Sequence, residues 1–596
     1  MNLDLVFVAY NSEKWIKDCF RSIGKSNYDL KKINIYVVDN QSTDQTIEAL
    51  QRAKADLGEQ IGTFEIIQAN ENLGFGKGNN LGFSKGHSNI VCFLNIDTEV
   101  FPDTFKELAE EVQNSKDEVG LWEFRQFPYE HPKFYDILTG YTSWSSGAAF
   151  AIRRPIYEEL GGFDNKIFMY AEDVDLSWRI RAKGYKLKYC PKVTIMHYAY
   201  ASAGEVKPTQ YLNSVINNLL LRYRYLSFKD ALKGNIQVLA LMRHKGPFEH
   251  SRKMLLKKYI GHFSQIPHFR KWKKENPNWD ASFSPKFLGW DYEIIREGAF
   301  YENEYPKTMP LVSIIVRTCN RPQVLREALI SLRQQTYKNI EIVVVEDGVN
   351  TAEVLIQEEF GDLNIKYAAT GKNVGRSAAG NKAMTIATGK YLNFLDDDDL
   401  FFADHVEVLV KNLEESDKKL AYTLAYETPI IIHSKNPYEY QEVYHNLIYK
   451  QPFNRLTLFH HNYIPIQAIM FEKSLFEQYG GLDETLDALE DWDLWVRYAL
   501  KNDFLYIPKV TSIYRVPFNR EVNEERQKTL DEALEIVRAK HQSYRAQVSP
   551  FEVARDLESE LSTYSIKISA ETMARLQQKV PMADKGIILL RKLMRK

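Results

Sequence analysis

Nothing in this sequence is apolar for long enough to cross a bilayer: no run approaches the roughly 18 to 20 residues that a membrane helix needs. Cysteine is scarce as well. Cys19, Cys92, Cys190 and Cys319 lie scattered with no C-x-x-C pair, which argues against a zinc site or a disulfide framework and fits reduced thiols in a cytosolic setting. Net charge is nearly absent, −2 from 77 Lys and Arg against 79 Asp and Glu, so no broad nucleic-acid surface is expected. The start, MNLDLVFVAYNS, has no basic segment ahead of a long apolar core and does not read as a signal peptide. The dinucleotide fingerprint G-x-G-x-x-G is missing too. Gly74, Gly76 and Gly78 follow a strand but are spaced G-x-G-x-G, with no ribose-binding acid about 20 residues on. What remains is an ordinary globular composition, 44% hydrophobic and 26% charged over 596 residues, a length that implies two to four domains.

The most conspicuous stretch present is GKYLNFLDDDDLF, residues 389–401. An apolar strand runs straight into Asp396, Asp397, Asp398 and Asp399. Two unit charges about 4 Å apart interact by roughly 4 kcal/mol at an effective dielectric near 20. Four carboxylates at a strand end therefore require either bulk water or a divalent cation, and hard oxygen ligands suit Mg2+ or Mn2+ shared with a diphosphate. A solvated acidic turn is the plainer reading, but a second acidic cluster, LEDWDLWVRYAL, follows about ninety residues later and favours the metal-diphosphate reading.

In chain order, LDLVFVAYN, INIYVVDN, FEIIQAN and NIVCFLNIDT are four apolar strands separated by helical stretches. Continuous runs of this kind belong to parallel sheets covered on both faces, and the alternation predicts a doubly wound α/β domain. The glycines after the third strand read as a loop that lets backbone approach a flat or phosphorylated ligand. Glu172, Asp173 and Asp175 open an amphipathic helix, a placement that the helix dipole favours as readily as catalysis requires. His197 ends the strand KVTIMHY, where a satisfied core histidine and a ligand are both open readings.

The whole layout then repeats. PLVSIIVRTCNRPQVL matches LDLVFVAYNSEKWI, IEIVVVEDG matches INIYVVDNQS, and KNVGRSAAGNKA matches ENLGFGKGNNLG. Three further blocks keep the order and align Glu490, Asp491 and Asp493 with Glu172, Asp173 and Asp175. Six blocks in register are not produced by buried-strand composition, and the shared polar residues sit at strand ends and helix starts, where ligands bind.

With these motifs in view, both halves resemble glycosyltransferase family 2 domains of the GT-A fold, over roughly 200 residues each. The fold class this implies is α/β: two GT-A, Rossmann-like doubly wound domains at 1–205 and 306–520, a helical linker at 206–305 and a helical C-terminal region at 521–596. The resemblance assigns a nucleotide-sugar donor to Ala9, Asp39, Asn72, Gly74 and Asn95 in the first half, and to Thr318, Asp347, Asn373 and Gly375 in the second. Which of Glu346 and Asp347 takes the part of Asp39 stays open by one position. It places the cation, Mn2+ or Mg2+, on Asp396 and Asp398 with Asp399 alongside, and the general base on Asp173 or Asp491 beside Glu172 and Glu490. In the first half Asn95-Ile96-Asp97-Thr98 replaces the Asp run. That form is similar to the rhamnosyltransferase-like branch, in which a late histidine, here His197, joins Asp97 at the metal. In the second half Tyr514-Arg515 stands at that strand end, and Arg515 is a candidate for direct phosphate contact.

The resulting expectation is a cytosolic bifunctional inverting enzyme at the inner face of the plasma membrane, extending an oligosaccharide or lipid-linked glycan and binding no nucleic acid. Two alternatives stand beside it: only the second domain is catalytic with the first an acceptor-binding module, or the chain is a non-catalytic carbohydrate-binding protein. The linker's Arg222, Arg224, Arg252, Lys253, Lys257, Lys258, Lys271, Lys273 and Lys274 are either solvated helix faces or a lipid-phosphate surface. GIILLRKLMRK at the end reads as a membrane-surface foot, or as a helix docking on the protein or on another subunit. Oligomeric state is not legible.

Overall fold

The computed structural model describes residues 1–131, 133–198, 206–275, 285–298 and 301–557. The chain divides into two compact units, Met1–Tyr305 and Pro306–Lys596. The first is built on β1 (Leu3–Ala9), β2 (Ile33–Asp39), β3 (Thr63–Gln68), β4 (Ile90–Asn95), β5 (Thr98–Val100), β6 (Val119–Phe127), β7 (Tyr141–Thr142), β8 (Ala149–Arg153) and β9 (Lys186–His197). Their order in the sheet is β3-β2-β1-β4-β8-β6-β9-β5, with β7 on β9. The four apolar strands pair in parallel, and Leu3, Leu5, Val6 and Phe7 of the central β1 are fully buried, as a strand covered on both faces requires. Beyond them the sheet turns mixed, because β8 runs antiparallel to β4 and β6, and β5 antiparallel to β9.

A short hairpin, β10 (Phe287–Leu288) and β11 (Asp291–Tyr292), precedes the second unit. There β12 (Val312–Thr318), β13 (Ile340–Glu346), β14 (Ile365–Ala369), β15 (Tyr391–Phe394), β16 (Leu400–Phe401), β17 (Leu420–Lys435), β18 (Tyr438–Glu442), β19 (Ile469–Glu472) and β20 (Leu505–Pro517) form a sheet of order β14-β13-β12-β15-β19-β17-β20-β16. That order is the first unit's, strand for strand, with the extra β18 pairing β17. In both, the chain leaves the central strand toward one side and returns for the fourth strand on the other. The crevice beyond β1 and β4, or β12 and β15, is therefore a topological switch point, where open α/β sheets bind ligands.

The glycine-rich stretch read as a loop is instead a helix, Gly74–Phe83. Glycine in a helix interior costs about 1 kcal/mol relative to alanine, so packing has to compensate. A Cβ at Gly78 would stand 2.9 Å from Val8 Cγ2, and one at Gly82 only 2.6 Å from Val6 Cγ1. The missing side chains let this helix lie directly on β1.

Residues 206–298 belong to the first unit. The helices Pro208–Tyr225, Phe228–Arg243 and Ser251–His262 share a core with Trp144, Ile167, Val174 and Trp178. Arg222 and Arg224 are buried within it and do not face lipid. In the second unit a long helix, Arg520–His541, follows the sheet and packs Val537 into the core. The C-terminal GIILLRKLMRK lies outside the described residues.

Candidate functional site

In the second unit the acids of the two clusters meet at one arginine. Arg317, near the end of β12 and 7% exposed, donates from Nε and Nη2 to the two oxygens of Asp396 at 2.8 and 2.7 Å. Its Nη1 donates to Glu490 Oε1 at 2.9 Å. Asp397 accepts from Thr318 Oγ1 at 2.7 Å and from Arg321, whose Nη1 also reaches Asp398 at 3.2 Å. Asp399 Oδ1 accepts from the Arg515 backbone N–H at 3.3 Å. The Arg515 side chain pairs with Glu327 at 2.7 Å and lies over the Tyr440 ring, so it is engaged away from the acids. Glu490 and Asp491 open the helix Glu490–Ala499 behind Leu489, which has a left-handed backbone with φ of 60°. Asp491 is pinned by its neighbour's N–H (Trp492, 2.8 Å) and by Asn462 Nδ2 at 3.0 Å.

The first unit reaches the same layout with other residues. Val8 stands at the ladder position of Arg317, and Asn95 and Asp97 at those of Asp396 and Asp398. His197 Nε2 lies 3.5 Å from Asn95 Nδ2 and 3.6 Å from Asp97 Oδ1. Its Nδ1 meets Gln126 Oε1 at 2.8 Å, a contact that fixes the ring and turns Nε2 toward Asp97. The loop Ser145–Ala148 joins strand end to acidic helix: Asn95 N–H donates to Ala148 O at 2.8 Å, and Gly147 N–H donates to Asp173 Oδ2 at 2.7 Å. Glu172 is buried, and its Oε2 has no hydrogen-bond partner. Lys133 pairs with Glu123, which also accepts from Ser146 N–H at 3.0 Å.

The donor-side residues flank the first strand. Asn40 N–H donates to Ala9 O at 2.8 Å and Asn40 Nδ2 to Gly74 O at 3.0 Å, while Asn72 Oδ1 accepts from Gly74 N–H at 3.0 Å. Gly74 has φ of +77°, and a Cβ there would meet Phe168 O at 2.4 Å. In the second unit Asp347 N–H donates to Thr318 O at 2.7 Å, and the Asp347 carboxylate accepts from Val374 and Gly375 N–H at 2.6 and 3.0 Å, next to Asn373. The register resolves the one-position ambiguity. Glu346 lies opposite Thr318 as Asp39 lies opposite Ala9, so Asp347 takes the place of Asn40. Asp39 accepts from Ser42 N–H, and Glu346 from Thr351 N–H, each closing the turn after its strand.

Burial and neighbouring charge sort the acids. Burial, then the charge of Glu490, pushes Asp491 up to about 7; burial raises Asp173 as well, and burial with Asp173 beside it raises Glu172 well above the carboxylate range. For Asp396 burial pulls upward, but the Arg317 guanidinium outweighs it and the net direction is down. Asp97 likewise ends below its ordinary value because His197 outweighs burial. Burial and the adjacent acids lift Asp399 well up.

These residues admit a divalent cation unequally. Asp97 and His197 offer one oxygen and one imidazole nitrogen, partly exposed, with the ring oriented by Gln126, and they fit an ion that takes its remaining ligands from phosphate and water. Asp396 has both oxygens on Arg317, and Asp399 is buried and displaced toward its neutral form. Asp398, 39% exposed at the side chain, is the carboxylate of the second unit that fits. Among the described residues no group of three or more His, Cys, Asp or Glu forms a cage.

Two further residues act, one on each acidic helix. Asp175, two positions past Asp173, accepts from Arg224 Nη1 at 2.5 Å and from Tyr225 Oη at 2.8 Å, and Arg224 also holds Asp164. In the second unit Lys540 Nζ bridges Asp483 at 2.5 Å and Asp493 at 2.9 Å, with Tyr544 Oη on Asp493 at 3.1 Å. The acids repeat in the sequence and the cations do not, yet each unit builds the same bridge. It spans the loop that leads to the acidic helix. That loop is held on its other side by Asn80, at Phe163 O, or Asn381, at Leu482 O, both at 2.9 Å. Sequence reasoning missed Arg317, Gln126 and Lys540, and read Arg224 as facing solvent or lipid phosphate. Only Arg317 carried a signal, being a charge inside an otherwise apolar central strand.

A family model described as glycosyl transferase family 2 matches residues 4–175 and 313–480. An uncharacterized glycosyltransferase of Methanocaldococcus jannaschii is 31% identical over 220 residues, 35% of this chain and 71% of that one. A protein of Escherichia coli K12 named as a colanic acid biosynthesis glycosyl transferase, WcaA, is 30% identical over 210 residues, 33% of this chain and 68% of the relative. Among solved structures, the mannosyltransferase PcManGT from Pyrobaculum calidifontis in complex with GDP-Man and Mn2+ is 18% identical, with 46% of this chain and 85% of that one covered and a TM-score of 0.33.

Proposed function

The chain belongs to glycosyl transferase family 2, and from that premise we propose a bifunctional inverting enzyme whose two units each transfer a sugar from a nucleotide-sugar donor to a growing, lipid-linked surface polysaccharide. The observation that carries this reading is the convergence at Arg317, where the strand-end Asp396 and the helix-start Glu490 share one guanidinium. The loop between Asn95 and Asp173 supports the same geometry in the first unit. The polysaccharide product is supported by the colanic acid name of the Escherichia coli relative.

In each unit the donor lies across the switch point, its diphosphate toward Asp97 and His197 or toward Asp398, and its anomeric carbon facing Asp173 or Asp491. The carboxylate takes the proton of the incoming hydroxyl as that oxygen bonds the anomeric carbon and the bond to the diphosphate breaks on the opposite side. One displacement inverts the configuration. Asp97 and His197, or Asp398, would hold Mn2+ or Mg2+, which when bound would neutralise charge on the leaving diphosphate. The Asn95-Ile96-Asp97-Thr98 form supports a deoxyhexose such as rhamnose as the first unit's donor. The setting we assign is the cytoplasm at the inner face of the plasma membrane.

The test is a panel of nucleotide-sugars, scored for donor hydrolysis and transfer, with Asp97→Ala and Asp491→Asn made separately in the full chain. Two activities, each lost in one variant, fit the proposal. If Asp97→Ala leaves every step intact, the first unit is an acceptor-binding module; if neither variant alters any step, the catalytic reading fails.

A further inference from the structure

Two helices of the first unit, Phe228–Arg243 and Ser251–His262, lie outside the residues matched by the family model. They stand side by side, joined by a hydrogen bond from Tyr259 Oη to Asn235 Oδ1 at 2.8 Å. Each buries one face: Ala231, Asn235 and Val238 in one, Ser251, Leu255 and His262 in the other. Each also turns a second apolar row to solvent. Phe228, Leu232, Ile236 and Leu239 recur at intervals of three and four residues and are half or more exposed. Leu256, Ile260 and the adjoining Phe263 follow the same spacing on the neighbour and are all exposed. Helical spacing puts each set on one stripe. Soluble surfaces scatter single apolar residues; consecutive rows of large ones mark a contact face.

The charge around these rows is predominantly positive. Residues 228–271 hold ten lysines and arginines and two carboxylates, Asp230 and Glu249, a net of +8 in a chain whose total is −2. Lys229 and Lys233 flank the first row, and Arg252, Lys253 and Lys257 flank the second, all exposed.

We infer that this face is a docking surface for a bilayer containing anionic phospholipid. Interfacial helices have this composition, with Phe, Leu and Ile entering the boundary between acyl chains and headgroups and Lys and Arg meeting lipid phosphate beside them. A second copy fits worse, since an isologous contact would set +8 against +8. The face is built from residues 228–263 alone, and the inference stands independently of which sugars the two units transfer.

The experiment is co-sedimentation of the full chain with phosphatidylcholine vesicles, with and without phosphatidylglycerol, for the native sequence, Ile236→Glu/Ile260→Glu and Lys253→Glu/Lys257→Glu. All four positions are exposed, and a melting curve with donor hydrolysis verifies the fold. The native chain binds phosphatidylglycerol vesicles. The apolar variant loses about tenfold or more in affinity, and the charge variant loses the preference for phosphatidylglycerol, as the two-part anchoring of interfacial helices requires. Absence of native binding overturns the inference. So does full binding by both folded variants, which would place the anchor elsewhere in the chain, and so does a native dimer that Ile236→Glu/Ile260→Glu dissociates, which would make a second copy the occupant.

Discussion

In the proposed mechanism Asp491 is the residue on which the chemistry turns. Burial and Glu490 bring its carboxyl to about 7, so the charged form that accepts a proton exists above that pH. Transfer by the second unit is expected to rise through pH 7, and Asp491→Asn should lower kcat about 10²- to 10⁴-fold, the range for a lost general base, while abolishing that limb of the pH profile. The same shift has a thermodynamic counterpart. A carboxyl whose pKa is raised by folding contributes stability below its ordinary range and loses it as pH climbs through about 7. Arg317 makes a second test. Two carboxylates depend on one buried guanidinium, and breaking such a set from one side typically costs about 3–5 kcal/mol. Arg317→Leu should therefore show that loss in urea unfolding of the second unit, even though the first unit has Val8 at that position. The acids themselves were legible because strand ends and helix starts announce them. Glu346 and Asp347 were not separable, since adjacent residues on a strand end differ only in which one the ladder sets opposite Thr318. Gln126 left no trace, because one glutamine in a buried strand has no periodicity to break.

The bridges at Arg224 and Lys540 belong to whole elements: an appended helix steadies the loop and the first turn that carry the proposed base. Asp483 is drawn down to about 2, by the hydrogen bond from Lys540 first. In Asp164 burial opposes the shift, but Arg224 outweighs it and brings the carboxyl to about 2. Depressed carboxyls contribute stability above their ordinary pKa and lose it as pH falls toward 2, so the bridges should survive mild acid and open only in that lower window. Lys540→Met is expected to lower kcat about tenfold or more with the donor KM little changed, since small misplacement of a reacting group is costly; Lys540→Arg should restore most of it. A parallel fall of kcat with the melting temperature, unrelieved by arginine, would make the bridge merely structural. Neither cation was readable in advance, because each comes from a segment outside the repeat and only folding brings it to acids the repeat supplies. The glycine helix Gly74–Phe83 was misread for the opposite reason. Intrinsic propensity argues against a helix there, and the contacts with Val6 and Val8 that override it are tertiary.

Over the entire chain, the doubling was the most legible feature, since six blocks in order fix strand sequence and switch point together. The mixed half of each sheet was less so, because β8 and β9 are apolar runs whose direction no local pattern states. The repeat also carries the central claim, that each unit holds its own donor. Calorimetric titration of the full chain with UDP, GDP and dTDP in the presence of Mn2+ tests it most directly. Two binding events are predicted, on one nucleotide or divided between two, with one lost in Asp97→Ala and the other in Asp398→Ala. A single event that survives Asp97→Ala and disappears in Asp398→Ala would contradict the claim and leave the first unit without a donor.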